Sequence, residues 1–360
     1  MNSQFGNNSD FFNDTIHLVG EEIQVVSVFR IVASSLSVMG TILIITAYIC
    51  LSLIVKCKKT RTNSVTKQTP QNEESLKMGY GHDLIFILSI CDFMLSITSF
   101  IPTETPYTGI IDSNCIAQGF ISNFFEVSSI IWTMLISFSI YLGTISKDVN
   151  KITRIYIFYF IYALSIPIVL SFGPLITNSY GPTGAWCWLK LKIRDPTASV
   201  WAFVIYIINW LHILLNIVFV CKSISYYKIR VFEIMENNKI EADYLKQYCF
   251  VLKFFPMILI VCWLPGTANR LYYFITKIEN TGFYSFQAFF YSLQGFLNSL
   301  VYSYYYRNLI KTIFCHKGAN QRTIKKSETN SNNKELGVSS INISSSLDSK
   351  NIELVEKVDS

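Results

Sequence analysis

Four ionisable side chains interrupt long apolar stretches of this sequence. They are Asp92, Glu126, Lys253 and Arg270. Inside a bilayer each such group costs about 2.5 to 3.5 kcal/mol on insertion scales, so each needs a partner, a route to the headgroups or a function. Lys253 lies near the end of its apolar stretch and can reach lipid headgroups. The other three are candidates for ligand binding or conformational switching.

Arg270 has the side chain best suited to bind an anion. Its planar guanidinium can donate two parallel hydrogen bonds to a phosphate. The alternatives are an ion pair with Glu126 or an anchor at the membrane interface. For Glu126 there are two interpretations. It either forms an ion pair with Arg270 or accepts a hydrogen bond from a ligand. The segment between the fourth and fifth apolar stretches carries three cations, Lys190, Lys192 and Arg194. They either attract an anion toward the bundle or only keep this segment solvated.

Two further groups of residues are candidates for an activation mechanism. Asp92 and Asn298 occupy matching depths in two apolar stretches. They form either a hydrated polar cluster that rearranges or a static hydrogen bond between two helices. Trp263 lies between Pro256 and Pro265. The two prolines predict a bent helix whose two parts move relative to each other, and the bulky Trp263 side chain would act as the lever of this motion. A buried tryptophan that only packs in the core is the alternative for Trp263.

The elements that carry these residues are membrane-spanning helices. The sequence is 51% hydrophobic and 15% charged, too apolar for one water-soluble domain of 360 residues. A span needs about 20 consecutive apolar residues. Seven stretches of this kind predict an all-α membrane protein with a seven-transmembrane helix bundle: Ile31–Val55, Leu84–Ile101, Ile116–Ile145, Ile155–Ile176, Ser199–Cys221, Phe250–Ile275 and Tyr284–Tyr306.

The distribution of basic residues predicts the orientation. The segments on one side of the membrane hold 23 Lys and Arg residues, against four on the other. Cytoplasmic segments carry the excess, so we expect an extracellular N-terminus and a cytoplasmic C-terminus in the cell membrane. Asn7 and Asn13 lie in glycosylation sequons on the predicted outer tail. The net charge of +6 is spread over short connecting segments, which argues against a nucleic-acid partner.

The cysteines sort by this orientation. Of the nine, only Cys115 and Cys187 fall on the predicted outer face. The outside is oxidising, so these two are the natural disulfide pair, joining helix 3 to the loop after helix 4. Two free thiols are the alternative.

The sequence divides into four predicted regions. They are an extracellular tail (1–24), the receptor-like bundle (25–306), a short amphipathic membrane-surface helix (307–317) and a disordered cytoplasmic tail (318–360). Cys315 is a palmitoylation candidate beside membrane lipid. The tail is rich in Ser and Thr, and its phosphorylation predicts a receptor kinase and an arrestin-like partner.

Two motifs resemble a known receptor family. Helix 6 reads Val-Cys-Trp-Leu-Pro-Gly-Thr-Ala-Asn-Arg-Leu from Val261 to Leu271, and the loop before helix 5 contains Trp186-Cys187-Trp188. Together they resemble the cyclic-AMP receptors of social amoebae and their cAMP-receptor-like relatives. The resemblance covers helices 3 to 7. It implies a seven-helix G-protein-coupled receptor, a heterotrimeric G protein as partner and extracellular cyclic AMP as ligand.

Two other motifs separate the chain from rhodopsin-like receptors. Helix 3 ends in Ser146-Lys147-Asp148 without an Asp-Arg-Tyr switch, and helix 7 reads Asn298-Ser-Leu-Val-Tyr302 where rhodopsin-like receptors have Asn-Pro-x-x-Tyr. The departures favour the cAMP-receptor-like branch. Asn298 and Tyr302 remain candidates for activation or packing.

Other function classes fit less well. A transporter or channel lacks support because the sequence shows no internal repeat. A retinal protein needs a lysine in its last helix, and Tyr284–Tyr306 has none. We expect no enzyme activity, no cofactor and no metal site. An orphan receptor for a non-nucleotide ligand stays open as the alternative.

Overall fold

The computed structural model describes most of the chain between Gly20 and Arg307. The described residues are 20–63, 80–103, 112–145, 149–183, 185–190, 196–237, 254–276, 280–304 and 307. All belong to the first of the two units, Met1–Asn308 and Leu309–Ser360, into which the chain divides. Asn7, Asn13, Cys315, the cytoplasmic tail and, apart from Arg307, the expected surface helix lie outside these residues.

Seven long helices form the described part of the chain, and the predicted seven-helix bundle is confirmed. They are α1 (Gly20–Asn63), α2 (Tyr80–Ile97), α3 (Ser113–Ile145), α4 (Val149–Ile176), α5 (Pro196–Asn237), α6 (Phe254–Thr276) and α7 (281–304). A short 3₁₀ turn, Thr98–Phe100, continues α2.

Two helices extend well beyond their predicted spans. α1 begins at Gly20 rather than Ile31, and α5 continues to Asn237 rather than ending at Cys221. Apolar stretches end at the first charge, whereas backbone hydrogen bonding continues through it. Glu21 and Glu22 lie in the first turn of α1, where negative charge is favourable for the helix dipole.

The protein is a multi-pass membrane protein. Six of the described helices, α1 to α6, are long and apolar enough to cross a bilayer. α7 is not among them because it carries Gln287, Gln294 and Asn298, all of which are buried within the bundle. A helix that places its polar residues against its neighbours still satisfies its own backbone hydrogen bonds, as a bilayer requires.

α3 is the central helix. It packs against α2, α4 and α5, and Ile130 and Ile131 in its middle are fully buried. α4 instead turns apolar side chains outward, with Phe158 69% exposed. Lipid solvates such side chains without cost, so the fold is apolar outside and, through serines and asparagines, polar inside.

α1 and α7 approach each other closely. A Cβ at Gly40 would clash with the Ser299 side chain. Small residues at such a contact let two helix backbones pack tightly, which is a main source of association between helices in lipid.

A two-stranded hairpin, which the sequence did not predict, joins α4 to α5. Strand β1 (Tyr180–Pro182) pairs antiparallel with β2 (Cys187–Leu189), and Tyr180 lies opposite Leu189. α4 ends just before it in a left-handed residue, Asn178 at φ 52°. The Asn178 and Ser179 amides donate back to the last helical turn, so the chain reverses sharply into β1.

The described part of α6 has one interior proline, Pro265. Pro256 lies in the first described turn, and the predicted residues of this helix before Phe254 lie outside the described part of the chain. The interruption at Pro256 therefore stays a prediction. α4 contains two interior prolines, Pro167 and Pro174.

The predicted disulfide is confirmed. Cys115, at the start of α3, is bonded to Cys187 in β2, with the two Cα atoms 5.2 Å apart. Both residues are fully buried. The bond fixes the hairpin over one end of the bundle, hereafter the disulfide end.

Loss of this bond should destabilise the whole bundle. We expect Cys115→Ser, Cys187→Ser and the double variant to lower the thermal midpoint of the purified protein equally, by an amount corresponding to about 2 to 5 kcal/mol. Cys50→Ser, which changes an exposed free cysteine, is the control and should leave the midpoint unchanged. A further loss in the double variant would show that the two sulfurs act separately.

Candidate ligand site

A cavity of about 650 Å³ lies at the disulfide end of the bundle. The hairpin forms its roof through Trp186, Cys187 and Trp188. The helices supply the walls, and Trp263 of α6 also contributes.

Aromatic rings form much of the cavity wall. Tyr206 of α5 and Trp263 of α6 meet edge to face with ring centroids 6.2 Å apart, and Trp263 meets Tyr291 of α7 at 6.4 Å. Trp188 meets Tyr206 at 5.9 Å. Such walls favour a flat, partly apolar ligand that can stack on them.

Arg30 of α1 also lines the cavity, and sequence reasoning missed it. The guanidinium donates from Nε to Ser99 Oγ at 3.2 Å, and from Nη1 and Nη2 to the backbone oxygens of Ala185 and Thr98, both at 3.3 Å. Its Cζ lies 5.9 Å from the Trp186 ring centroid. The predicted first span began at Ile31, so this arginine fell one residue outside it and was not counted among the charges buried in a span. Its flanking residues Phe29 and Ile31 were the signal that a helix continued through it.

Glu126 of α3 reaches the same cavity. Its carboxylate accepts a hydrogen bond from the Tyr291 hydroxyl at 2.5 Å. The sequence offered Arg270 or a ligand as its partner, and did not identify Tyr291. The bond joins α3 to α7 across the interior.

Arg270 lies behind the aromatic wall and is not among the described residues that line the cavity. Its Cζ is 5.9 Å from the Trp188 ring centroid and 6.0 Å from that of Tyr284. It also hydrogen-bonds the Tyr206 side chain. Its neighbour Asn269 donates to Gln287 of α7 at 2.7 Å.

The predicted steering cations are only partly described. Lys190 donates from Nζ to the Asn178 backbone oxygen at 2.8 Å and lies along the hairpin beside Gly181. Lys192 and Arg194 lie outside the described residues.

The hairpin is held to α3 by more than the disulfide. The Cys187 amide donates to Gln118 Oε1 at 2.8 Å, and Trp188 Nε1 donates to Asn123 Oδ1 at 3.3 Å. Asn123 also donates to the Tyr180 hydroxyl, which in turn donates to the Ser171 backbone oxygen. Burial raises the pKa of Tyr180 above its ordinary value of 10, so this phenol stays neutral.

A polar cluster surrounds Asp92 deeper in the bundle. Asp92 Oδ1 accepts from Ser129 at 2.6 Å and from Gln294 at 3.3 Å, and Oδ2 accepts from Asn298 at 2.7 Å. The cluster therefore joins α2, α3 and α7. Asp92 and Asn298 were predicted to lie at matching depths, whereas Ser129 and Gln294 were not identified.

Tyr291 lies between the ligand cavity and a second cavity beside Asp92. The second cavity measures about 220 Å³ and includes Asp92 and Gln294. Tyr291, Ser99 and Ser292 line both cavities. The two cavities therefore share three side chains, of which Tyr291 is the largest.

Trp263, the predicted lever of α6, lies at the level of Tyr291. Trp263 packs with Leu259, Ile130 of α3 and Ile213 of α5. Pro265 follows within the helix, and Tyr302 of α7 is buried nearer the other end.

The donor and acceptor set suits binding rather than covalent chemistry. One guanidinium, one carboxylate and several hydroxyls line an aromatic cavity. The described residues hold no group of three or more His, Cys, Asp or Glu side chains placed to bind a metal ion.

Comparison with solved structures identifies the fold. Squid rhodopsin superposes with a TM-score of 0.62 at 14% sequence identity, over 87% of this chain and 90% of rhodopsin. Identity this low supports the fold alone.

Comparison with known sequences identifies relatives. G-protein coupled receptor 1 of Arabidopsis thaliana is 26% identical over 54% of this chain and 59% of its own length. Cyclic AMP receptor-like protein A of Dictyostelium discoideum is 26% identical over 69% of this chain and 65% of its own length. The chain thus spans about three-fifths of the length of both. Cyclic AMP receptor-like protein C of the same organism is 24% identical over 78% of this chain and 90% of its own length.

The family profile settles the relationship. The profile described as slime mold cyclic AMP receptor matches residues 17–347, which is most of the chain. The resemblance predicted from the helix 6 motif and the Trp-Cys-Trp loop is confirmed, and this chain belongs to the slime mold cyclic AMP receptor family.

Proposed function

We propose that this protein is a G-protein-coupled receptor that senses an extracellular small molecule, cyclic AMP or a related ligand, and activates a heterotrimeric G protein. The observation that carries the proposal is the aromatic cavity at the disulfide end in a chain of this family.

In this proposal the disulfide end faces the outside of the cell. The excess of Lys and Arg lies in the segments that the sequence assigns to the cytoplasmic side. A disulfide also persists in the oxidising extracellular space. The N-terminus is then extracellular, with Asn7 and Asn13 accessible to glycosylation, and the C-terminus is cytoplasmic.

The cavity offers complementary groups for such a ligand. Aromatic walls stack with a purine, and the Glu126 carboxylate accepts from a ligand donor. Lys190, Lys192 and Arg194 raise the local concentration of an anion at the entrance. Arg270 contacts the Trp188 and Tyr284 rings and is not among the described residues that line the cavity, so we place it outside the set of residues that touch the ligand.

Activation in this proposal runs through α6 and α7. A ligand touching Trp263 and Tyr291 acts on the helix with the interior proline and on the hydroxyl bonded to Glu126. Rearrangement around Asp92 and Asn298 then moves the inner ends of the helices, where the G protein binds. A receptor kinase and an arrestin-like protein act on the tail, and a palmitate on Cys315 anchors the surface helix in lipid.

A non-nucleotide ligand is the alternative. Arg30 and Glu126 line one cavity, and their opposite charges would also suit a zwitterion such as an amino acid derivative. A G-protein dissociation assay with each class of ligand separates the two.

Cyclic AMP should activate the receptor directly. We expect cyclic AMP to cause G-protein dissociation, measured by energy transfer between labelled subunits, in cells that express the full-length receptor and lack other cyclic AMP receptors. Cells without the receptor provide the baseline, and surface labelling confirms insertion. Absence of a response at normal surface abundance would exclude cyclic AMP as the ligand.

The Asp92 cluster should hold the observed conformation. Asp92→Asn places an amide donor opposite the Asn298 donor, and we expect a loss of about 1 to 3 kcal/mol in stability together with higher basal G-protein dissociation. The swapped double variant Asp92→Asn with Asn298→Asp restores a donor and an acceptor and should recover most of the thermal midpoint.

Ser89→Ala is the matched control for this prediction. Ser89 is buried on the same helix, but its hydroxyl bonds only the backbone of its own helix, at Ile85. We expect little change in this variant. A swapped variant no more stable than Asp92→Asn alone would contradict the pairing of α2 with α7.

A further inference from the structure

Arg30 is a charge buried in the wall of the ligand cavity. It is 9% exposed and lies in the third turn of α1, between the apolar residues Phe29 and Ile31. A buried cation in a membrane helix is costly unless a partner offsets the lost hydration. The cost of burying Arg30 therefore indicates that this residue has a functional role.

Among the described residues, the partners of this cation are neutral acceptors. Within the described part of the chain, its three hydrogen bonds go to the Ser99 hydroxyl and to two backbone oxygens, at 3.2 to 3.3 Å. These distances lie at the long end of the hydrogen-bond range. A guanidinium has five donors and binds a carboxylate or phosphate bidentately at shorter range.

The carboxylate in the same cavity is engaged elsewhere. Glu126 accepts from Tyr291, and none of the three Arg30 bonds reaches it. The Trp186 ring lies 5.9 Å from the Arg30 Cζ and helps to fix the guanidinium at the cavity wall. The cavity thus presents a positioned cation on one side and a positioned acceptor on another.

We infer that Arg30 is the residue that binds the anionic group of the ligand, and that the ligand is a small aromatic anion with a hydrogen-bond donor for Glu126. This inference rests on the proposed function, because it concerns the same cavity. The anion replaces long bonds to neutral oxygens with shorter, bidentate bonds to a negative charge, which add Coulombic attraction to the hydrogen bonding.

The two buried arginines of this end therefore have different roles. Arg30 lines the cavity, whereas Arg270 lies behind Trp188 and Tyr284. Their comparison supplies a matched control, since both are arginines near the roof and only one meets the ligand.

The test measures thermal midpoints of the purified full-length receptor. Cyclic AMP and inorganic phosphate are the anionic probes, adenosine is the neutral probe, and chloride at equal ionic strength is the blank. The variants are Arg30→Gln, Arg30→Lys and Arg270→Gln, each with surface abundance measured in cells.

We expect an anionic probe to raise the wild-type midpoint above the chloride value. Arg30→Gln should weaken the apparent affinity for that probe by about 10- to 100-fold, whereas Arg270→Gln should keep it within a few-fold of wild type. Adenosine should act equally on wild type and Arg30→Gln. Arg30→Lys keeps the charge without the planar fork and should weaken affinity less than Arg30→Gln.

Several outcomes would overturn the inference. They are an absent wild-type shift with both anions, an unchanged anion affinity in Arg30→Gln, and an equal loss in Arg270→Gln. If Arg30→Gln fails to reach the membrane, Arg30→Lys decides, and an anion affinity equal to wild type counts against the inference.

The proposed function fails in a different way. An Arg30-dependent shift with phosphate but none with cyclic AMP keeps the anion site and rejects cyclic AMP. An Arg30-dependent shift with cyclic AMP supports both.

Discussion

Polar groups inside this bundle must find their partners within the protein, because lipid offers none. Three charged groups of the described interior show this constraint. Asp92 accepts from three donors on α3 and α7. Arg30 donates to two acceptors in the 3₁₀ turn and one in the hairpin, and Glu126 accepts from the Tyr291 hydroxyl. Each of these bonds joins elements that are distant in sequence. The same groups that make the interior costly therefore determine which helices lie together.

The constraint explains what the sequence could predict. Seven apolar stretches identified all seven helices, because the length of a span and the need to satisfy its backbone are local properties. The topology also isolated Cys115 and Cys187, and Asp92 and Asn298 were matched by depth alone. These inferences needed only composition and position along a helix.

The remaining features depend on contacts that leave no local pattern. The hairpin strands are three residues each, and Tyr180–Pro182 contains a glycine and a proline that give no strand signal. The bond between Glu126 and Tyr291 joins residues 165 positions apart, so nothing near either residue indicates it. Arg30 was missed for a different reason, since an apolar stretch was ended at a charge that the helix in fact buries.

The covalent attachment of the hairpin bears on the kinetics of ligand exchange. β2 is bonded to α3 at Cys115, and its backbone and indole are held by Gln118 and Asn123. The roof cannot swing away from the cavity as a free lid would. Beside the hairpin, Ala185 and Trp186 pack against Ile23 of α1 and Tyr284 of α7. In the proposed receptor a ligand that leaves past this contact departs only when these side chains part, so two ligands of equal affinity but different bulk should leave at different rates.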